Sequence, residues 1–434
     1  MSKNVLIVSE IFPPIIKGGA ASSVYSLVTS LAESGQNISI LTAKSKDELQ
    51  NIGFSIYRVD IREYYFYSEK GLPQTLSKLI SLIHNIKVFR KEIKHIVKRQ
   101  KVNIIHTQLF ASTVAAANLR KKLKIPVVAT IRGYWTECFF IEKWNDDNNK
   151  PCEGCSFKRL YNCLRKNNKR FNLILFFNTI IIYTFMYWVR KQLKNVDCFL
   201  PISEHFKNML IKRNMESIYI VPNIFEDSYY KKYFTKKKDN IFSDNDEELK
   251  GIKANKKIAL YMGRVRKAKG VSLIIENAIN FPDIVFLIVG DKDHIDFLKN
   301  LEKIIIDNNL KNIIFIDWIP YSVIKKYYEL ADIVILPFLR EEPLSRSMLE
   351  ALCFGKPILA SNMGGNPDGV IDGVNGVLFT PGKEGFKEGM RRIMNMDFEK
   401  MGKESMKIFN EKFNKGLLIQ KYLDVYDKVI DNTK

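Results

Sequence analysis

Short runs of apolar, mostly β-branched residues recur along the chain, and most are followed by a stretch with helical spacing. In the first half they are Val5 to Ser9, Ile38 to Thr42, Ser55 to Val59, Val102 to His106, Pro126 to Ile131, Phe199 to Ser203 and Ile218 to Val221. After a polar, charge-rich stretch from Asn223 to Lys257 the alternation restarts. Its second set is Ile258 to Met262, Ile284 to Val289, Ile313 to Ile316, Ile333 to Leu336, Pro357 to Ala360 and Gly376 to Phe379. Continuous apolar strands alternating with helices predict a parallel sheet covered on both faces. The fold class is therefore α/β, with two doubly wound, Rossmann-like domains. The predicted domains are 1–222 and 223–416, and the helical pattern that ends the chain, 417–434, is expected to pack back on the first. In open sheets of this kind ligands bind outside the carboxyl ends of the strands, so the loops there are where chemistry is expected, in a cleft that the two domains face.

Two segments of the first half fit less simply. Thr75 to Gln100 sets Leu76, Leu79, Ile80, Ile83, Ile86, Ile93 and Val97 near one helical face and seven Lys and Arg residues largely elsewhere. It predicts a basic amphipathic helix, either with a solvated charged face or in contact with a membrane. Phe171 to Val189 is 19 residues without a formal charge, long enough to span a bilayer. A full span would put strands of one sheet on opposite sides of the membrane, so a buried helix or an interfacial segment is expected instead.

Composition sharpens this picture. A chain of 434 residues, 46% hydrophobic and 26% charged, is globular rather than disordered, and its length suits two domains. The net charge of +21 is uneven: 34 basic against 16 acidic residues up to Pro222, 34 against 31 beyond it. A strongly basic first half predicts an anionic partner such as acidic lipid or a phosphorylated substrate. No basic motif interleaved with aromatics is present, so nucleic acid is not the expected partner. Met1 to Ser9 reads as a buried strand rather than a signal peptide. Six cysteines without a secretory signal point to a reducing compartment.

Three loops carry candidate chemistry. Gly18-Gly19 lie between the first strand and a helical pattern, where backbone amides can approach a phosphate; a plain tight turn has the same signature. Arg264 and Lys269 leave the strand at Ile258 to Met262 beside Gly263 and Gly270, where two cations can hold a diphosphate or be solvated. After the strand Ile333 to Leu336 comes PFLREEPLSRSMLEAL, with Glu342 and Glu350 eight residues apart. Glu342 is placed in the loop entering a helix and Glu350 inside that helix, so both carboxylates can face one ligand. Carboxylates suit pairs of sugar hydroxyls, and amides around Leu344 and Ser345 offer an anion site at the helix start.

In this order the three loops, followed by Gly364-Gly365-Asn366-Pro367-Asp368 and Asp372-Gly373-Val374-Asn375-Gly376, resemble the retaining glycosyltransferases of family 4, which share the two-domain GT-B fold. The resemblance spans essentially the whole chain. It implies a nucleotide-sugar donor, a UDP- or GDP-sugar, held mainly by the second domain, with Glu350 on the ribose, Glu342 near the donor sugar, and Arg264 and Lys269 on the diphosphate. Gly18, Gly19, Leu344 and Ser345 complete the implied donor-binding set. The first domain would bind the acceptor. Transfer with retention would proceed without a catalytic metal, Arg264 and Lys269 stabilising the departing phosphate. The Asp291-Lys292-Asp293 sequence spells a metal-binding motif where relatives carry a glycine-rich turn, and is treated as coincidence.

Where many relatives carry His after the fifth strand, this chain has Arg132, a candidate for phosphate or acceptor charge with a structural salt bridge as its rival. Asp368 stands where Glu is commoner. His106 resembles a first-domain position facing the cleft, with a core histidine as the alternative. Cys138, Cys152, Cys155 and Cys163 fall within 26 residues around a C-x2-C knuckle, the spacing of a structural zinc site or of reduced structural thiols. The expectation is a cytoplasmic glycosyltransferase, peripheral to the inner face of the cell membrane. It would act on a lipid-linked or surface-polysaccharide acceptor, such as capsule, O-antigen (lipopolysaccharide) or exopolysaccharide. The rivals are a GT-B sugar-nucleotide epimerase and a non-enzymatic basic protein, binding membrane or nucleic acid, with a vestigial sugar site.

Overall fold

The computed structural model describes residues 2–433 apart from 15–18, 46–52, 64–71, 142–143, 146–149, 153, 166–171, 226–250, 252, 254, 292–294 and 321–322. The chain divides into two compact units, one of Met1–Ile224 with Gly416–Lys434, the other Phe225–Lys415.

The first unit contains β1 (Asn4–Val8), α1 (Gly19–Glu33), β2 (Asn37–Ala43), β3 (Ser55–Val59), α2 (Leu72–Arg99), β4 (Ile104–Thr107), α3 (Phe110–Leu123) and β5 (Val127–Ile131). A short hairpin, β6 (Trp144–Asn145) with β7 (Lys150–Pro151), precedes α4 (Phe157–Arg165), α5 (Leu173–Leu193), β8 (Cys198–Pro201) and α6 (Glu204–Ile211). Its six-stranded sheet has the order β3-β2-β1-β4-β5-β8, all pairs parallel. Residues on both faces of β4, β5 and β8 are buried, as their unbroken apolar runs require. The predicted strand Ile218 to Val221 lies parallel beside β8: the Phe199 amide donates to the Ser217 carbonyl at 2.9 Å, and the Tyr219 and Val221 amides donate to the Phe199 and Pro201 carbonyls at 3.0 and 3.1 Å. Pro201 has no amide for the next rung, so only the bridge Ile218 to Phe199 is complete.

The second unit runs β9 (Lys257–Met262), α7 (Val271–Ala278), β10 (Ile284–Val289), α8 (Ile295–Asp307), β11 (Ile313–Ile316), α9 (Ile324–Leu330) and β12 (Ile333–Leu336). It continues with α10 (Arg346–Cys353), β13 (Ile358–Ser361), α11 (Asn366–Gly369), β14 (Gly376–Phe379), α12 (Lys383–Met394) and α13 (Phe398–Ile408). The sheet order is β11-β10-β9-β12-β13-β14, again parallel throughout. Both units are doubly wound in the strand order 3-2-1-4-5-6. In each the order reverses beside the first strand, which marks the crevices at β1/β4 and β9/β12 as ligand positions.

The last helix, α14 (Lys415–Asp431), buries Leu418, Ile419, Tyr422, Val425, Tyr426 and Val429, an i, i+3, i+4, i+7 stripe. Its Tyr426 hydroxyl lies 2.6 Å from His106 Nδ1, while His106 Nε2 lies 2.7 Å from Thr130 Oγ1. The structure therefore corrects the expectation that His106 faces a cleft: the side chain is fully buried in the first unit's core with both ring nitrogens engaged. Burial, and then the charge of Arg132, hold its pKa down at about 3. A folded value below the ordinary 6.5 means that the unfolded chain binds more protons between these limits, so stability falls as pH drops through that window. Urea unfolding of the full chain is expected to lose about 1.4 kcal/mol per pH unit below pH 6.5 through this group. The slope should flatten in His106→Gln; an unchanged slope in that variant would assign the acid sensitivity elsewhere.

The uncharged segment 171–189 proves to be neither a buried helix all round nor a featureless one. Within α5, Leu175, Asn178, Thr179, Ile182, Met186 and Val189 are buried, and α5 packs against α2, α3 and α4. Leu173, Ile174, Phe177, Ile181 and Tyr187 are 50 to 67% exposed. The helix is long and apolar enough to cross a membrane by length and composition alone. Instead it has one face in the unit's core and a second apolar face turned outward.

Candidate active site

β9 and β12 are adjacent parallel strands, and the loops that leave their carboxyl ends are fastened to each other. The loop after β9 ends in a 3-10 turn, Lys267–Lys269, closed by Gly270 at φ +74°. A Cβ on Gly270 would fall 1.7 Å from the carbonyl oxygen of Pro337, so only glycine admits the loop after β12 this closely. The amides of Leu339 and Arg340 then donate to the Ala268 carbonyl at 3.1 and 3.2 Å.

This seam brings Lys269 and Glu342 together although 72 residues separate them in the chain. Lys269 Nζ lies 2.8 Å from Glu342 Oε1, and Arg340 Nη2 lies 3.4 Å from the same oxygen. Lys269 also sits 4.8 Å over the Phe338 ring. Burial alone would raise the Glu342 pKa, but Lys269, Arg340 and Arg264 outweigh it and hold the carboxyl at about 2. Burial lowers the Lys269 pKa, an effect that Glu342 opposes. Arg264 acts on both groups, so the four side chains form one cationic cluster. Arg340 was not singled out in the sequence; its place two residues before Glu342 in the same loop was the available signal.

The backbone of Glu342 is fixed from the opposite side by the Gly364-Gly365 turn. The Gly365 amide donates to the Glu342 carbonyl at 2.8 Å, and Gly364, at φ +59°, lies so close that a Cβ would fall 2.2 Å from that oxygen. Ser345 is the N-cap of α10, its hydroxyl accepting from the Met348 amide at 3.0 Å, and Leu344 beside it is buried. Ser347 Oγ donates to the Met262 carbonyl at 2.7 Å, tying α10 to the end of β9. Glu350, one turn inside α10, is buried; its Oε2 accepts from the Tyr328 hydroxyl at 2.7 Å, and Arg346 Nε lies 3.9 Å from Oε1. Tyr328 is stacked on Phe354 at 5.2 Å. The carboxylates are thus held by different partners, Glu342 by Lys269 and Arg340 and Glu350 by the Tyr328 phenol with Arg346 at 3.9 Å. Tyr328 and Arg346 were not anticipated.

In the first unit Gly19 opens α1, and its carbonyl accepts from Ser23 Oγ at 2.8 Å; Gly18 lies outside the described residues, as does Asp293. Arg132 follows β5, and its Nη2 donates to Gln108 Oε1 at 2.7 Å. Glu10, unremarked in the sequence, is buried at the end of β1 and accepts from the amides of Ala111 and Ser112 and from Ser112 Oγ, which satisfies the start of α3.

The zinc expectation for Cys138, Cys152, Cys155 and Cys163 is not supported. Among the described residues no three His, Cys, Asp or Glu side chains are grouped so as to hold a metal ion. None of the four is in a disulfide, and Cys152 Sγ donates to the Gly154 carbonyl at 3.4 Å. Burial first, then the neighbouring Cys138 and Cys163, push the Cys155 thiol up to about 12.

Two family models match the chain in succession, one described as Glycosyltransferase Family 4 over residues 17–228 and one as Glycosyl transferases group 1 over residues 242–412. Spore coat protein SA of Bacillus subtilis is 27% identical over 193 residues, 40% of this chain; the alignment spans about half (49%) of that relative's length. A 42.6 kDa protein in the cps region of Klebsiella pneumoniae is 23% identical over 369 residues, 83% of this chain and 86% of that one. Among solved structures, Anabaena HepE in complex with UDP-glucose superposes with a TM-score of 0.66 at 16% identity, over 98% of this chain and 99% of that one. With two sheets of GT-B order, a charged site at the β9/β12 crevice and both halves matched, the chain belongs to the family 4, group 1 glycosyltransferases.

Proposed function

We propose that this glycosyltransferase moves a sugar from a UDP-sugar held by the second unit to a lipid-linked or surface-polysaccharide acceptor held by the first, with retention at the anomeric carbon. It would do so at the inner face of the cell membrane. The observation that carries the reading is the cluster of Lys269, Arg340 and Arg264 around Glu342 at the crevice where ligands of this fold bind. A cationic, mostly buried cluster is suited to a diphosphate whose charge grows as the sugar departs. The breaking bond joins the anomeric carbon to the diphosphate oxygen; the acceptor hydroxyl oxygen forms the new bond on the same face, and its proton passes to the departing phosphate. Glu342, held ionised, orients the donor sugar, and Glu350 receives the ribose hydroxyls. The UDP-glucose bound by HepE supports the donor class, and the cps-region relative supports a surface-polysaccharide acceptor. The outward apolar face of α5 and the basic face of α2 support the membrane surface.

A thermal-shift series with UDP, GDP and ADP on the full chain tests the donor assignment. UDP at a hundred times its Kd is expected to add about 2.7 kcal/mol of stability. In Glu350→Gln the Tyr328 hydroxyl keeps an acceptor, so the fold should hold while the UDP shift disappears. A full UDP shift in that variant would remove the ribose role of Glu350, and no shift with any nucleotide in the wild type would sink the donor site.

A further inference from the structure

The carboxyl ends of β4 and β5 hold a concentration of buried donors that no acceptor satisfies. Arg132 gives one nitrogen, Nη2, to Gln108; its Nε and Nη1 are buried without a hydrogen-bond partner. Gln108 Nε2 is equally unpartnered, and so are Trp135 Nε1 and Thr136 Oγ1 in the turn that follows Arg132. Trp135 stacks on Phe110 at 5.5 Å and 18°, so the turn after β5 is folded onto the segment that follows Gln108. The two loops thus bring these side chains to neighbouring strand ends.

A buried donor without a partner destabilises a fold by about 1–3 kcal/mol, and a charged one by more. Among the described residues no carboxylate forms an ion pair with Arg132: Glu10, beyond the end of the adjacent strand β1, bonds the start of α3. The charge of Arg132 instead reaches His106 and Tyr422, and no carboxylate acts on Arg132 in return. A salt bridge, the structural alternative for this arginine, is absent among the described residues. We infer that Arg132, with the amide of Gln108 to which its guanidinium is bonded, forms a receptor for an anionic group of the substrate bound by the first unit, a phosphoryl or carboxylate oxygen. The inference rests on the reading that this unit binds the sugar acceptor, and it adds that the acceptor carries negative charge close to where it reacts.

The donors define what such a group must be. Arg132 Nε and Nη1 can donate only, so the missing partner is an acceptor with several lone pairs rather than a neutral hydroxyl. Guanidinium pairs well with phosphate and carboxylate alike, and both occur on glycan acceptors, as phosphorylated carriers or as acidic sugars.

The test uses the full chain and two probes, inorganic phosphate and glucuronate, each against chloride at matched ionic strength and pH 7. In the wild type one of the two is expected to raise the melting temperature by a few degrees; phosphate would identify a phosphorylated acceptor, glucuronate an acidic sugar. Arg132→Lys should keep part of the shift, and Arg132→Met should lose it. Arg132→Met removes one internal hydrogen bond, the one to Gln108 Oε1, and relieves two unsatisfied donors, so without added anion it should melt within a few degrees of the wild type. A response to neither probe, an equal response in Arg132→Met, or a marked fall in the melting temperature of that variant would overturn the receptor. UDP is run on the same samples. A UDP shift that persists while both anions fail would strike this inference alone, whereas loss of the UDP shift in the wild type would strike the donor reading.

Discussion

Lys269→Met is expected to lower kcat by about 10²–10³-fold, the loss seen when one preorganised donor to a developing negative charge is removed. The argument starts from Gly270, whose missing Cβ lets the loop after β12 close on the loop after β9 and so sets Lys269 Nζ 2.8 Å from Glu342. In the proposed reaction this ammonium stabilises the departing diphosphate, an interaction that grows towards the transition state, so kcat should fall more than KM rises. The substitution also removes the largest of the charges that hold Glu342 ionised. Glu342 has a folded pKa of about 2 against an ordinary 4.5, so its contribution to stability is present above pH 4.5 and is lost as pH falls towards 2. Without Lys269 the folded pKa rises, and acid unfolding of the variant should begin at higher pH than in the wild type. Arg340 still faces the same oxygen, so the loss of stability should stay below the roughly 3–5 kcal/mol of a buried pair broken outright. UDP release from the donor and acid unfolding are the two measurements. A wild-type kcat in Lys269→Met would end the assignment, and an unshifted acid limb would show that Lys269 does not govern Glu342.

Much of this arrangement could be read from the chain because it depends on period and order. Unbroken apolar runs separated by helical spacing predict parallel sheets, and the sheet order then makes the loops after β9 and β12 neighbours. What the sequence does not display is how charge is shared between distant segments. Glu342 and Glu350 look equivalent as E-x7-E, yet one is surrounded by cations and the other is bonded to Tyr328, which lies on α9 and reaches Glu350 only through tertiary packing. His106 could not be told from a cleft residue, because its burial depends on Tyr426, 320 positions away. The four cysteines have the spacing of a metal knuckle, but spacing does not fix how the side chains are grouped in space, and among the described residues no three ligand side chains are placed to hold a metal ion.

α5 shows most clearly why periodicity can fail. Its polar residues Asn178 and Thr179 lie on the buried face, where Asn178 Nδ2 bonds the Ile174 carbonyl at 2.8 Å and Thr179 Oγ1 the Leu175 carbonyl at 2.7 Å. Side chains that bond back to the preceding turn hide their polarity within the helix itself. The outer face carries Ile174, Phe177, Ile181 and Tyr187 while Leu175, Ile182, Met186 and Val189 fill the inner one, so α5 is apolar on both faces and has no polar stripe for a helical period to show.

That outer face leads to the second large effect. The full chain is expected to co-sediment with phosphatidylcholine vesicles containing phosphatidylglycerol, and Phe177→Asp with Ile181→Asp is expected to weaken this binding by about 10³-fold. Burying a Phe or an Ile contributes about 1.5–3 kcal/mol each, so losing both removes roughly 4 kcal/mol, or about three powers of ten. Phe177 is 56% and Ile181 50% exposed, so aspartate there leaves the buried face of α5 in place and the melting temperature should hold. The charges act separately. Arg190 and Lys191 close the last turn of α5, and Lys87, Arg90, Lys91, Lys94 and Lys98 are grouped on α2 around Glu92 and His95. Each basic residue near an anionic surface contributes about 1 kcal/mol, and salt screens it. Raising the salt concentration should therefore weaken wild-type binding without abolishing it, and omitting phosphatidylglycerol should act in the same direction. Binding that survives the two aspartates unchanged would move the contact away from α5, and a wild-type chain that stays in the supernatant with acidic vesicles would remove the membrane from the proposed function.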